Sequence, residues 1–599
     1  MRAILLHLLF LSWSSIALGN AIIDPDISQS FKTTKLTAEQ PKQFTITIIL
    51  KSTTHADKLI RYINAIPGSK AELLHFMPII IAIIPHQLET INAIANHPFV
   101  AQISSNKSTH EELELSSQAI LLRPSETYPN VDNWWNAHYT GEGVIGLIDS
   151  GVDVKHPGLS GKQMIIRQEP NSDYDKYNQG VRSPHATGVV CIYTGMGQGS
   201  FMQEYGMAYG TPSVVAGLAD DGEGEPEQLL LTINTLDWML TRSALKPTII
   251  NYSNGNGPIT CSTCTDWSAL AKIVDYIVNH DKILWVKSAG NLGFIEPQNN
   301  SPYQSTMTTP ADNYNAITVA NMDTTFEQNG SRVQSPDRSK HTIRYTSSRG
   351  PTLNGRRKPD ITAPGHDTRT CAPDPNQYGL SYTSAMDYNN GYRLMGGTSS
   401  AAPHVGAAIL ILQQAGIKNP MAAKALLINS ANAWTDSGHA GPLDPKYTYQ
   451  GDHGPVMGSE WNPTYGWGYL NMQQAFTQRH NIIEDNISPN NPTRDYKVDL
   501  PVGGKVTLVH ERRVGYHDDG TEWQLTHLTL ELYNADTHEK ITQDNSAIDS
   551  VHQVANCDRK PSETQCTDQT KPIHAIIRVK LMSDTLDGSQ VEPFALVFG

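Results

Sequence analysis

Residues 396–415 read GGTSSAAPHVGAAILILQQA, and this stretch decides how the rest of the chain is interpreted. Two glycines and a threonine precede Ser399, a run of small residues with Pro403 follows, and a continuous apolar segment ends near Leu412. This order predicts a tight glycine turn that places Ser399 in the first turn of a buried helix. The N–H groups there lack intrahelical partners, so a negatively charged oxygen beside Ser399 would be stabilised. For an isolated Gly-Thr-Ser, a glycine turn with a serine cap is the simpler interpretation.

The string around Ser399 is longer than such a turn requires. Residues 397–404, GTSSAAPH, match the pattern G-T-S-x-A-x-P-H, which resembles the nucleophile motif of the subtilisin-like serine proteases, the subtilases. The resemblance implies that Ser399 is a nucleophile activated by a histidine and an aspartate elsewhere in the chain.

An aspartate ends the first strand expected in the central part of the chain. Residues 144–148, VIGLI, form a short apolar run and are followed by Asp149 in the sequence DSGVD. Folds of this kind place their sites at the carboxyl ends of parallel strands, although an aspartate there also serves as a cap or turn residue. The match to the subtilase pattern D-[ST]-G-[IV]-D implies that Asp149 orients the catalytic histidine.

The histidine is expected at position 185, in the sequence SPHATGVV of residues 183–190. It opens an apolar, helix-like segment and resembles the subtilase motif H-G-T-H-V-A-G, which implies that His185 is the general base. Ala186 replaces a glycine of that motif, and Gly188 replaces its second histidine. Neither residue carries the proton transfer, but both are expected to affect the rate and the packing beside the substrate. The order aspartate, histidine, serine is that of subtilisin.

Two further strand ends complete the expected site. Residues 283–291, ILWVKSAGN, read as a strand that ends in Gly-Asn, which is often a simple turn. The resemblance implies instead that Asn291 donates its side-chain N–H to the oxyanion. It also implies that Ser253, Asn254 and Gly255, where another strand leaves the sheet, bind the extended substrate and form a wall of the first specificity pocket. Asn254 replaces the usual apolar residue, which argues against a strictly hydrophobic preference.

Composition limits the classes of protein to which the chain can belong. It has 599 residues, too many for one compact domain, and its apolar and charged fractions (39% and 17%) are those of a soluble globular protein. A formal net charge of −14 argues against nucleic acid or an anionic membrane as a partner. Beyond the N-terminus no apolar stretch of about 18 or more residues occurs, so no transmembrane segment is expected.

Residues 1–19 have the composition of a secretory signal peptide, with a positive charge, an apolar core and small residues before an expected cleavage after Gly19. A membrane anchor is the alternative, but the apolar segment is short and contains serines. A secreted protein is therefore expected, extracellular or periplasmic before release.

The six cysteines fit an exported chain. Cys557 and Cys566 are close in sequence and are expected to pair. Cys261 and Cys264 have the spacing of a redox motif, but they do not follow the strand that such a motif needs, so a structural role is expected. The connectivity of Cys261 and Cys264 to Cys191 and Cys371 is left open.

Residues 20–122 carry strand-like and helix-like runs in the order of two βαβ units. This arrangement resembles the ferredoxin-like α+β propeptide of subtilases, which acts as an intramolecular chaperone and inhibitor. Residues 104–125 are rich in serine, lysine and glutamate and read as an exposed linker that a protease cuts. A small independent domain is the alternative.

Residues 123–482 alternate strands and helices, which predicts a subtilisin-like α/β domain with a mostly parallel sheet and flanking helices. Within them, residues 366–391 resemble a loop insertion before the nucleophile. Residues 486–494, NISPNNPTR, read as a boundary. Residues 495–599 alternate in the manner of strands and predict a small all-β sandwich, similar to C-terminal modules of secreted subtilases, whose role is left open.

Together these features predict a secreted serine endopeptidase that cleaves peptide bonds through an acyl-enzyme. Protein or peptide substrates and the chain's own propeptide are the expected partners. No cofactor is required for this chemistry and no metal ligand is assigned; structural calcium is common in the family, but no residues here are matched to it. An α/β-hydrolase is disfavoured because Ser399 lacks the G-x-S-x-G elbow. The alternative is a catalytically silent secreted binding or adhesion protein on a subtilase scaffold, which the changes at Ala186 and Gly188 keep open.

Overall fold

The chain forms two compact units, residues 1–110 and residues 111–599, which are described separately. The computed structural model describes the chain apart from residues 1–16, 19–20, 24–42, 52–53, 55, 74–78, 86, 106–111, 132, 168–180, 182, 198–204, 220–224, 259–266, 294–304, 329–330, 379, 381–390, 435–460, 516, 518, 557–570, 583–585 and 587–589.

The first unit is a mostly antiparallel sheet with two helices. Its elements are β1 (Ala17–Leu18), β2 (Ala21–Ile23), β3 (Gln43–Leu50), α1 (Ala56–Asn64), β4 (Lys70–Leu73), β5 (Ile79–Pro85), α2 (Leu88–Ala95) and β6 (Val100–Ser105). The strand order β6-β3-β5-β4 with the helices after β3 and β5 is the βαββαβ arrangement of ferredoxin-like folds. Alternate residues of β3, among them Ile46 and Ile48, are fully buried against the apolar faces of both helices.

Three strands of this unit, β1, β2 and β4, were not predicted from the sequence, and β1 lies within the residues that read as a signal peptide. β4 is only four residues long and buries a single alanine, Ala71, so it carries almost no apolar signal. β2 is only three residues long, and its Ile22 pairs with Gln102 of β6 in parallel register. Such short strands owe their pairing to the neighbouring strands rather than to their own pattern.

The first part of the second unit is an α/β domain. Its elements are α3 (Glu112–Ala119), α4 (Asn133–Asn136), β7 (Val144–Asp149), β8 (Gln163–Ile166), α5 (His185–Thr194), β9 (Ser213–Leu218), α6 (Glu225–Thr241), β10 (Ile249–Tyr252), β11 (Asn256–Pro258), α7 (Ala269–Tyr276), β12 (Leu284–Ser288), β13 (Thr308–Thr309), β14 (Ile317–Asp323), β15 (Thr325–Gln328), β16 (Ser331–Gln334), β17 (Thr342–Ile343), β18 (Ile361–Pro364), β19 (Thr368–Cys371), α8 (Pro375–Tyr378), β20 (Tyr392–Met395), α9 (Thr398–Gln414), α10 (Pro420–Ser430) and α11 (Met472–Gln478).

Eight of these strands form the central sheet, in the order β17-β14-β12-β10-β7-β9-β8, with β18 also paired to β14. Its pairs are parallel except that of β17 with β14. Strands such as β9 and β12 are buried at every position, and their apolar runs therefore lack alternation. The prediction of a mostly parallel α/β fold is confirmed. Among the described residues, no helix combines the length and the apolar character needed to cross a membrane.

Residues 104–125 were expected to form an exposed linker, but part of this segment is buried. Residues 115–122 are buried in the second unit, where Arg338 Nη1 donates to the carbonyl of Ala119 over 2.6 Å. Ser116 Oγ lies 2.9 Å from Nε2 of His404. Polar residues in this segment are thus hydrogen-bonded inside the protein, and the unit boundary lies at residue 110 rather than at 122.

The expected loop insertion at residues 366–391 also begins and ends in regular structure. β19 and β20 pair in antiparallel register, with Cys371 opposite Tyr392, and β19 packs against α5. Residues 381–390 of this insertion lie outside the described residues.

The second part of the second unit is a sandwich of two four-stranded antiparallel sheets, as predicted. Its strands are β21 (Ile482–Ile487), β22 (Thr493–Leu500), β23 (Lys505–His510), β24 (Leu528–Asn534), β25 (Lys540–Asp544), β26 (Val551–Ala555), β27 (Ile573–Leu581) and β28 (Glu592–Phe598). The sheets have the orders β21-β28-β23-β26 and β22-β27-β24-β25. The sandwich starts at Ile482 rather than at 495, because the segment read as a boundary is the turn between β21 and β22.

The sandwich packs on the α/β domain rather than standing apart from it. In β28, Phe594 and Leu596 fill the interior of the sandwich, whereas Ala595 and Val597 join the main core against α10. Both faces of this strand are therefore buried, which explains its unbroken apolar run. The buried guanidinium of Arg357 adds ion pairs to Asp544 and to Asp549 of the sandwich.

Candidate active site

A buried carboxylate and a histidine meet at the carboxyl edge of the central sheet. Asp149 is the last residue of β7, and its side chain is 1% exposed. His185 is the first residue of α5, and its Nδ1 lies 2.8 and 2.9 Å from the two carboxylate oxygens of Asp149. Because a carboxylate only accepts hydrogen bonds, Nδ1 carries the proton, and the other ring nitrogen, Nε2, is left to act as a base.

The carboxylate of Asp149 is itself held in place. Its Oδ1 accepts a hydrogen bond from the backbone N–H of Ser150 over 2.7 Å, and its carbonyl accepts from the N–H of Ala219 over 2.9 Å. The helix that carries His185 starts with a bond from its backbone N–H to Ser183 Oγ. Both side chains therefore project from fixed backbone.

Ser399 is the second residue of α9, as the glycine turn predicted. Gly397 precedes the helix with a φ of 99°, a conformation that favours glycine, and a Cβ at this position would lie 3.0 Å from Nδ2 of Asn291. The helix itself is buried along almost its whole length and crosses β10, β12, β14 and β18. Ser399 is 7% exposed.

The amide of Asn291 is oriented by the residue before Ser399. Its Oδ1 accepts from the backbone N–H of Thr398 over 2.9 Å and from Thr398 Oγ1 over 3.1 Å. The exposed side chain of Asn291 thereby keeps Nδ2 on the side of Gly397. Among the described residues, no acceptor is hydrogen-bonded to either proton of Nδ2. A donor held in this way beside the first turn of α9 suits a developing negative charge.

The segment after β10 contacts Ser399 directly. Ser399 Oγ donates to the carbonyl of Ser253 over 2.9 Å, and Ser253 Oγ donates to the carbonyl of Ser399 over 3.1 Å. Asn254 turns its amide towards the sheet, where Nδ2 donates to the carbonyl of Ile148 over 3.0 Å. Gly255 is exposed. This use of the Asn254 side chain was not foreseen from the sequence.

The structure thus brings the sequence-predicted residues to one edge of the sheet in two hydrogen-bonded groups. One group is Asp149 with His185, and the other is Ser399 with Ser253, with Asn291 joined to it through Thr398. Within the described part of the chain, no hydrogen bond joins Ser399 to His185. The helices that carry them, α5 and α9, pack against each other.

The departure from the family motif at Gly188 has a steric explanation. Thr370 of β19 donates through Oγ1 to the carbonyl of Gly188 over 2.7 Å, and a Cβ on Gly188 would lie 2.9 Å from Thr370 Cγ2 and 3.0 Å from Met395 Sδ. A side chain at this position would require Thr370 or Met395 to move. A disulfide between Cys191 and Cys371, whose connectivity the sequence left open, ties the same strand to α5.

His156 lies beside this disulfide, and the three side chains have ligand atoms within 4.8 Å of one another. The two sulfurs are bonded to each other, and both nitrogens of His156 are engaged, Nε2 with the carbonyl of Gly391 and Nδ1 with the N–H of Gly158. This group is therefore a structural one. The cysteines at 261, 264, 557 and 566 lie outside the described residues.

Comparison with known proteins extends these observations. A model of the subtilase family matches residues 141–468, more than half of the chain. The serine protease AprX of Bacillus subtilis (strain 168) is 29% identical over 304 residues, which are 50% of this chain and 63% of AprX. A thermophilic serine proteinase of Bacillus sp. (strain AK1) is 25% identical over 339 residues, which are 55% of this chain and 67% of that protein.

Among solved structures, fervidolysin from Fervidobacterium pennivorans, described as a keratinolytic enzyme related to subtilisin, covers 90% of this chain and 87% of its own, at 15% identity and a TM-score of 0.41. The matched family region, 141–468, holds the ends of β7 and β10, the start of α5, Asn291 and the glycine turn before Ser399. The chain belongs to the subtilase family.

Proposed function

We propose that this chain is a serine endopeptidase in which Ser399 is the nucleophile, His185 the general base and Asp149 the residue that orients it. The contact between His185 Nδ1 and both oxygens of Asp149 carries the proposal, since it fixes the tautomer that a general base needs. These residues lie at the carboxyl edge of a parallel sheet, in a chain of the subtilase family.

The reaction follows from these roles. Ser399 Oγ leaves its bond to the carbonyl of Ser253 and gives its proton to Nε2 of His185 as it attacks the scissile carbonyl carbon. The carbonyl oxygen becomes an oxyanion that accepts from Asn291 Nδ2 and from the backbone N–H of Ser399. His185 then protonates the leaving amine, and water hydrolyses the acyl-enzyme by the same route.

The carbonyl of Ser253 has a second use in this proposal. A peptide laid along residues 253–255 can donate a backbone N–H to it, as strands added to a sheet edge do. That substrate N–H would replace the Ser399 hydroxyl as the donor to this carbonyl. The hydroxyl would then be free to attack. Binding of the substrate and activation of the nucleophile would then be linked through one acceptor.

The part of the first unit that follows residue 19 is proposed to be the propeptide, which folds the enzyme and inhibits it until it is cut. Its ferredoxin-like arrangement supports this role. Because residues 115–122 are buried in the second unit, the cut is expected before Glu112 and not near residue 122. We further propose that the protein is secreted, on the composition of residues 1–19.

The test compares the purified wild type with Ser399→Ala by mass spectrometry and by cleavage of casein. An endopeptidase should shorten itself to a product that starts near residue 111 and should cut casein, and the variant should do neither. Identical masses and no cleavage by either protein would favour the silent binding protein. The variant removes only one oxygen atom, and near-ultraviolet circular dichroism should show that it remains folded.

A further inference from the structure

A buried lysine lies behind the candidate active site and takes no part in the proposed reaction. Lys287, in β12, is fully buried, four residues before Asn291. Its ammonium donates to the carbonyl of Ser288, lies 3.1 Å from Ser288 Oγ and reaches Thr308 Oγ1 at 3.5 Å. Among the described residues, no carboxylate lies within ion-pair distance of it. Burial lowers the pKa of Lys287 to about 7, and the more distant Asp312 opposes that shift.

Thr308 connects this lysine with the surroundings of Ser399. A Cβ built on Gly255 would lie 2.3 Å from Thr308 Oγ1, and one built on Gly290 would lie 2.8 Å from the same oxygen. Thr308 also donates its backbone N–H to the carbonyl of Ala289. The hydroxyl of Thr308 is therefore enclosed between the segment at Gly255 and the segment at Gly290.

Those two segments are the ones that contact the nucleophile. The first begins with Ser253, which exchanges hydrogen bonds with Ser399, and the second ends with Asn291, which is bonded to Thr398. A substrate carbonyl placed between Ser399 Oγ and Asn291 Nδ2 has its own side chain next to it, between the same two segments. In the proposed reaction, the side chain before the scissile bond would therefore point towards Thr308, with Lys287 behind it.

An ammonium without an anionic partner is unfavourable inside a protein, and a carboxylate placed next to it offsets the free-energy cost of burying the charge. We propose that Lys287, acting with the Thr308 hydroxyl, selects peptides that carry an acidic side chain, glutamate above all, immediately before the cleaved bond. Glutamate is favoured over aspartate because the cation lies behind Thr308 and a longer side chain reaches it. This inference rests on the proposed function and names its substrate class.

The experiment uses three fluorogenic peptides that differ only in having Glu, Gln or Leu before the scissile bond. The self-processed wild type should cleave the Glu peptide with a kcat/KM at least about tenfold above that of its Gln counterpart, the gain typical of a charge-assisted hydrogen bond. Lys287→Met, of similar length without the charge, should bring the Glu to Gln ratio to one or below. The isosteric Thr308→Val should lower the Glu to Gln ratio several-fold. If Lys287→Met does not fold, the ratio measured in Thr308→Val tests the inference.

Lys162→Met is the matched control. Lys162 also donates to backbone carbonyls, those of Tyr209 and Thr211, and burial lowers its pKa to about 8, but it precedes β8 at the amino end of the sheet. The ratio should be unchanged in this variant.

A wild-type ratio near one, or the same ratio in Lys287→Met, would overturn the inference while leaving the protease intact. If the wild type cleaves none of the peptides, nor casein, in a Ser399-dependent way, the proposed function fails and the inference with it.

Discussion

His185 and Asp149 share one of the best-defined contacts of the candidate site, with Nδ1 placed 2.8 and 2.9 Å from the two oxygens of a carboxylate that is 1% exposed. The pair joins the end of β7 to the start of α5. Its geometry leaves the imidazole one productive orientation, with Nε2 turned away from the carboxylate.

Asp149→Asn should therefore lower kcat by about ten-thousandfold, because an amide can donate to Nδ1 and so stabilise the wrong tautomer. Peptide hydrolysis under saturating substrate measures this loss, and near-ultraviolet circular dichroism shows whether the fold is kept. A folded variant that loses less than tenfold would refute the role given to Asp149.

Asn291 accepts hydrogen bonds from Thr398 through Oδ1, and its Nδ2 is proposed to donate to the oxyanion. Both Asn291→Asp and Asn291→Ala should lower kcat by roughly a hundred- to a thousandfold with little change in KM. Only the alanine variant loses the acceptor, so it alone should also unfold at lower urea concentration. If Asn291→Asp retains full kcat, the oxyanion is stabilised by other groups.

The docking of the sandwich can be tested at Arg357. Its guanidinium pairs with Asp544 and Asp549, all three largely buried. Burial acts to raise the pKa of Asp544, but Arg357, aided by His552, holds it below the ordinary value. Arg357→Met leaves both carboxylates without this partner and should cost about 3–5 kcal/mol of unfolding free energy, measured in urea at pH 7.

The control for that experiment is Arg578→Met, which breaks a solvent-exposed pair with Asp495 and should cost less than about 1 kcal/mol. Equal losses of unfolding free energy in the two variants would show that the buried pairs stabilise the docked sandwich no more than an exposed pair does.

Acid should destabilise the second unit through His404. Its Nδ1 donates to the carbonyl of Ser400 and its Nε2 accepts from Ser116, and burial lowers its pKa to about 4. Between pH 6.5 and 4 the unfolded chain binds a proton at this position that the folded chain does not. The contribution of His404 to the free energy of unfolding is therefore fully present above pH 6.5. It decreases by roughly 3 kcal/mol as the pH drops towards 4.

His404→Gln should flatten this dependence, which urea unfolding at pH 7, 6 and 5 will measure. The exposed His280→Gln serves as control and should keep the wild-type slope. An unchanged slope in His404→Gln would assign the acid sensitivity to other buried groups, such as His341, whose pKa burial also lowers to about 4.

The positions of Asp149, His185, Asn291 and Ser399 at element ends could be predicted from the sequence for a physical reason. Each lies where a strand ends or a helix begins, and such positions need particular glycine, cap and turn residues that leave a pattern in the sequence. The parallel sheet was predictable for a similar reason, since strands buried on both faces read as short apolar runs.

Other features depend on contacts between distant segments. Ser116 is polar, so its segment read as an exposed linker, yet it is buried and its hydroxyl donates a hydrogen bond to Nε2 of His404. Lys287 interrupts an apolar strand without any local sign that its ammonium reaches Thr308. The sandwich boundary was misplaced because the turn between β21 and β22 has the same composition as a linker.

The central claim is that Ser399 is a nucleophile activated by His185 and Asp149, and covalent labelling tests it most directly. The mature protein is incubated with a fluorophosphonate, and the adduct is located by peptide mass spectrometry. The account predicts one adduct, on Ser399, formed much more slowly in His185→Gln and in Asp149→Asn although both remain folded. Absence of an adduct on Ser399 in the folded wild type, or equal labelling in all three proteins, would contradict it.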